Sequence, residues 1–161
     1  MKRRLLALCL LVAAGTTAAD DAADAAAALH GYFEAFNARQ IDRIATEIYS
    51  TPVHVGGGAT HRVLADADAA AANLADLYAA IDAQAWRESR ILDLVVCIAS
   101  RTLALVDTRY SRIDADGNPI PPAVRTNLYV LQKLEGAWRI VAFYAHDETQ
   151  RPGCPAAGIA G

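Results

Sequence analysis

Apolar residues recur at i, i+3, i+4 and i+7 through Leu29, Tyr32, Phe33 and Phe36, the spacing of one helix face. Ile41, Ile44, Ala45 and Ile48 repeat that spacing, which predicts a second helix after a joint at 37–40. Pro52 ends the helical pattern. Val53, His54 and Val55 predict a short strand, Gly56 to Gly58 a tight turn, and residues 61–64 a second short strand. Asp66 stands where it would cap a third helix, whose stripe is Asn73, Leu74, Leu77, Tyr78 and Ile81. From Trp86 the period falls to two. Strands are expected over 89–98, 101–113, 124–134 and 137–147, with turns at 99–100, 114–119 and 135–136.

This order predicts an α+β fold: three N-terminal helices packed on one face of a curved, mostly antiparallel sheet, a cone with a hollow. The last hairpin sorts the side chains further. With Glu135 and Gly136 as a two-residue turn, Leu134 faces Ala137. One face then carries Trp138, Ile140, Ala142, Tyr144 and His146 across from Lys133, Leu131, Tyr129, Asn127 and Arg125. The other carries Arg139, Val141, Phe143, Ala145 and Asp147 across from Gln132, Val130, Leu128, Thr126 and Val124. The first face mixes aromatic and polar groups, which suits a ligand hollow and equally a sheet-on-sheet homodimer. A single bulge would scramble this assignment.

Upstream of the first helix the chain has a different character. Lys2, Arg3 and Arg4 precede a run of ten apolar residues, 5–14, too short to span a bilayer. Thr17 and Ala19 then supply the small side chains that signal peptidase requires. The expected division is a signal peptide over 1–19, one domain over 20–147 and a disordered tail over 148–161. The protein is expected outside the cytoplasm, secreted or periplasmic, and free of the membrane after cleavage. Losing the three leading cations leaves 12 basic side chains against 18 acidic, a balance of −6. Lys133 is then the sole lysine, and this balance argues against nucleic acid as a partner. Cys97 lies in an apolar run, where an unpaired thiol serves as a small hydrophobe. Export also permits a disulfide with Cys154.

Several segments resemble the nuclear transport factor 2-like superfamily, in its SnoaL-like or DUF4440-like branch. They are residues 32–38 with Ile41 and Asp42, then Leu105, Val106 and residues 110–112, then residues 134–140. The resemblance spans roughly 22–147 and implies the cone-shaped fold, which serves isomerases, dehydratases, cyclases and plain binding domains alike. Ketosteroid isomerases of this superfamily place an oxyanion-hole tyrosine where Tyr32 stands. Their general-base aspartate falls here on Gly56 and Gly57. Their second, protonated aspartate falls in the stretch Thr126, Asn127, Leu128 and Tyr129, which has no acid. An isomerase needs a carboxylate to move the proton, so the resemblance does not carry that activity over.

The function expected is an exported domain that binds a small apolar molecule or mediates association, with a homodimer as the partner. The alternative is an isomerase, cyclase or dehydratase using His146, Arg125 and Tyr129 in acid–base work, since a guanidinium beside an imidazole favours the neutral base. Tyr32, Phe36, Asn127, Trp138 and Tyr144 are the expected ligand-binding residues. No cofactor motif is read. His54 and His61 flank the glycines and with Asp66 or Asp147 would give a zinc set, but surface residues and no metal are expected. Mass spectrometry of exported protein should find an N-terminus within one residue of Asp20. An intact Met1 would overturn the signal peptide.

Overall fold

Glycine, proline and the change of period set the order of elements. The structure, a computed structural model, describes residues 18–151 together with 153 and 154. All but the last two residues of the expected signal segment lie outside the described residues. Helix α1 runs Ala18–Asn37, and α2, Ile41–Arg43, continues as a π-helical turn, Ile44–Ile48. Strands β1 (Tyr49–Gly57) and β2 (Thr60–Leu64) form a hairpin, and α3 follows over Ala67–Asp82. The Asp66 carboxylate caps α3 by accepting from the Ala69 N–H at 2.8 Å. The long strands are β3 (Trp86–Ser100), β4 (Leu103–Asp114), β5 (Arg125–Leu134) and β6 (Ala137–Ala145).

The six strands lie in the order β2-β1-β6-β5-β4-β3, antiparallel except for the parallel pair β1 and β6. That α+β architecture is the one the sequence predicts. The glycines differ from expectation, since only Gly58 turns, at φ +55°. Gly56 and Gly57 belong to β1 and let it run close to β6. A Cβ on Gly56 would stand 2.7 Å from Tyr144 Cδ1, and one on Gly57 2.8 Å from the Ala145 Cβ.

The apolar faces of the helices meet the concave face of the sheet. Leu29, Ile44, Leu74, Ile81, Leu131 and Ile140 are among the most deeply buried side chains. Three polar braces hold the helices in place. The side chain of Asn37, where α1 ends, donates to Ser89 O and accepts from Ser89 N, fixing the helix to β3. Arg39, at φ 56°, forms a bidentate pair with Asp82 at the end of α3 and lies over the rings of Tyr78 and Trp86. Near the other end of α1, Lys133 pairs with the buried Asp21 at 2.7 Å and lies over Trp138.

Two ties join the C-terminal segment to the sheet. As far as it is described, the segment after β6 is tied down across the outer face of the sheet. Arg151 pairs with Asp107 on β4 and Asp93 on β3. Cys97, whose pairing the sequence leaves open, forms a disulfide with Cys154, their Cα atoms 5.2 Å apart. The apolar run around Cys97 hid this, since the partner comes from a stretch of prolines and glycine with no periodicity of its own.

That disulfide closes a loop of 57 residues, a separation for which a cross-link typically contributes about 2–4 kcal/mol. Chemical denaturation with and without reductant should show a loss of that size, as should Cys154→Ser. An unchanged midpoint would mean that the ion pairs of Arg151 alone hold the strap.

Candidate functional site

One extra residue in β6 decides which side chains meet. Up to Ile140 the hairpin keeps the register set by its turn, with Lys133 opposite Trp138 and Leu131 opposite Ile140. Val141 then bulges out, and beyond it Val130 faces Ala142, Tyr129 faces Phe143 and Asn127 faces Ala145. A bulge shifts pairing by one, so inside and outside exchange along the rest of β6. Phe143 and Ala145 turn inward with Tyr129 and Asn127. Tyr144 turns outward with Leu128 and is 37% exposed.

The inward residues line a cavity of about 380 Å³ between the sheet and helices α1 and α3. Its floor is aromatic. Tyr32 from α1 lies against Tyr49 and Tyr129 with ring centres 5.9 and 5.7 Å apart, and Phe143 completes the group at 5.6 Å from Tyr129. Phe33 and Phe36 continue it, Phe33 lying edge-on to Tyr110. The far wall is polar, made by Ser89, Tyr110, Arg112 and Asn127. Exposed Arg62 on β2 and Asp76 and Ala80 on α3 form the rim.

The hydroxyls inside are held protonated. Burial, reinforced by neighbouring tyrosines, raises the pKa of Tyr32 and Tyr129 well above the ordinary phenol range, and burial raises Tyr49 too. Tyr49 donates to the Tyr32 hydroxyl at 3.4 Å, and Asn127 Nδ2 donates to the Tyr129 hydroxyl at 3.3 Å. Both of these phenols line the cavity. Tyr78, buried but outside the lining, gives its hydroxyl to Phe36 O at 2.7 Å, and its pKa is pushed up to about 12 by burial.

Of the expected site residues, Tyr32, Phe36, Asn127 and Tyr129 line the cavity. Trp138, Tyr144, Arg125 and His146 do not. Trp138 is buried between Lys133 and the core, near the start of β6, while the cavity lies at the strand's other end. Tyr144 is outside because of the bulge. Arg125 donates to the carbonyls of Ile120, Pro121 and Pro122, so it holds the loop before β5. His146 lies past the end of β6 on the outer face. Its Nε2 is 2.8 Å from Asp107 Oδ1 and its Nδ1 2.9 Å from Asp147 O, which engages both nitrogens. The expected pairing of His146 with Arg125 does not form, and His146, Arg125 and Tyr129 are not one site. His54 and His61 do approach, at 3.3 Å between ring nitrogens, but no group of three metal-ligating side chains exists among the described residues.

Pattern reading missed Tyr49, Tyr110 and Arg112. Tyr49 was assigned to no element. Tyr110 and Arg112 were noted only for their resemblance, although their period-two spacing with Val106 and Thr108 marks one face of β4.

A model of the NTF2-like protein family DUF6841 matches residues 20–148. No curated protein matches the sequence. Solved structures share the fold at low identity. An NTF2-like protein of unknown function from Shewanella oneidensis MR-1 is 16% identical, with a TM-score of 0.61 over 78% of this chain and 98% of its own. An NTF2-like protein with a cystatin-like fold from Novosphingobium aromaticivorans is 12% identical, with 0.64 over 88% and 86%. A ketosteroid isomerase-like protein from Erwinia carotovora atroseptica SCRI1043 is 20% identical, with 0.57 over 78% and 95%.

The raised tyrosines make stability depend on alkaline pH. Below about pH 10 both folded and unfolded chains hold these protons, and the stability is full. As pH rises from there toward the raised folded values, only the unfolded chain releases them, and stability is lost. Alkaline denaturation should therefore be steep, with tyrosinate absorbance and loss of structure rising together. Tyr32→Phe should make it shallower, and an equally steep curve in that variant would contradict this assignment.

Proposed function

Because the chain belongs to the NTF2-like protein family DUF6841, we propose that it is an exported binding domain whose cone takes one small, flat, largely apolar molecule. The observation that carries this is the cavity of about 380 Å³, with stacked aromatic walls and protonated phenols on one side. That size falls in the range of small-molecule sites, about 300–1,000 Å³, and the mixture of apolar walls with a few placed polar groups is theirs too.

Binding is favoured over acid–base catalysis by what lines the hollow. The sole carboxylate among its described lining residues is Asp76, exposed at the rim, and no histidine lines it. A proton-moving reaction needs a base within hydrogen-bond reach of its substrate. Where isomerases of the superfamily carry that base, Gly56 and Gly57 stand, and neither brings a carboxyl. Export is supported by the leader-like N-terminus and by the disulfide, a bond that persists in oxidising compartments. A second reading, association with another copy across the outer face, draws on the exposed Leu103 and Tyr144.

The test uses 2-naphthol, a flat ring system with one hydroxyl, followed by calorimetry. It should bind with one site per chain. Ala80→Trp, which fills the rim, should abolish binding. Tyr129→Phe should weaken it by about 1–3 kcal/mol, the cost of an unmade buried hydrogen bond. No binding by a folded protein that runs as a dimer would favour association instead.

A further inference from the structure

We infer that the guest is an acid: a flat, mostly apolar molecule whose carboxylate is taken by Arg112. This deepens the proposed binding function and rests on it.

Arg112 lies on β4 opposite Ser89 of β3, and both line the cavity. Its Nε is fully buried and has no hydrogen-bond partner among the described residues. Several other arginines pair with carboxylates. Arg39 has Asp82, Arg90 has Glu88, and Arg151 has both Asp93 and Asp107. Among the described residues, no acid forms an ion pair with Arg112. A half-buried guanidinium in the wall of a hollow, left without an ion-pair partner among the described residues, is completed by a ligand that brings one.

The surroundings strengthen this. Arg125 is neutralised by no carboxylate either, since its partners are three loop carbonyls. Burial and then the nearby charge of Arg112 lower its pKa from the usual arginine value, which places two cations close together beside the cavity. Arg62 adds a third charge at the rim. Because Tyr32, Tyr49 and Tyr129 stay protonated, the aromatic floor supplies no negative charge to offset them. Asp76 lies across the rim and forms an ion pair with none of these arginines. The hollow therefore has a positive end and an apolar body. A guanidinium offers a planar fork of donors that fits a carboxylate through two parallel bonds.

The experiment compares 2-naphthoate, its methyl ester and 2-naphthol on the intact mature protein by calorimetry. The expected result is 2-naphthoate binding at least tenfold tighter than either neutral ring, with Arg112→Gln removing that advantage. Raising salt should narrow the advantage. Equal binding of acid, ester and naphthol would overturn the inference and leave the binding function standing. A preference for the acid that survives in Arg112→Gln would overturn the role of Arg112. Binding of none of the three would overturn the cavity as a ligand site, and the inference with it. Should Arg112→Gln fail to fold, the comparison of acid with ester on the unaltered protein decides.

Discussion

The bulge at Val141 is the constraint on which the site depends. A strand alternates its side chains strictly, so without the extra residue Ala142 and Tyr144 would face the helices. Phe143 would then leave the aromatic floor, and Tyr129 would lose the ring it packs on. The neighbouring strand slips at the same level, for β1 pairs Tyr49 with Ile140 and resumes only at His54 with Ala142. Both irregularities bend the sheet where it must close around the hollow. The bend also brings Tyr49 between Tyr32 and Phe143, with ring centres 5.9 and 6.0 Å away.

Beyond the bulge the two faces of the sheet have opposite chemistry. Outside, the buried Asp107 is saturated by His146 and Arg151, and the Cys97–Cys154 bond fastens the strap beside it. Arg151 also holds the Asp93 carboxyl below the usual carboxylate range. These groups are engaged with one another and act as structure. Inside, the aromatic rings are packed but the strongest polar group, Arg112, has an unmet donor. Outside, the buried carboxylate is paired with Arg151 and His146, while inside the guanidinium of Arg112 forms no ion pair among the described residues, and the proposed binding role rests on that contrast.

The fold was legible because its signals are local and repeated: the helix stripes at Leu29 and Leu74, the Asp66 cap, the turn at Glu135 and Gly136. Three of the five expected ligand-binding residues, Tyr32, Phe36 and Asn127, were legible as well, with Tyr129 of the catalytic alternative, since they lie on helix α1 and on β5, whose period runs true along its whole length. Trp138 and Tyr144 were grouped by that same period, and Val141 breaks it between them with no residue type to announce the break. His146 and Arg125 were read as partners for the same reason. Asp107, which claims His146, sits 39 residues away, and Arg125 is claimed by a loop of prolines. Long-range partners of this kind leave no trace in spacing.

The most direct test of the proposed binding site is a crystal structure of the protein with 2-naphthol. The ring should lie in the cone against Tyr129 and Phe143, its hydroxyl within hydrogen-bond distance of Tyr129, Tyr32 or Asn127, with Tyr144 on the far side of the sheet. A ring bound instead on the outer face beside Tyr144, or a regular β6 that turns Phe143 outward, would contradict it.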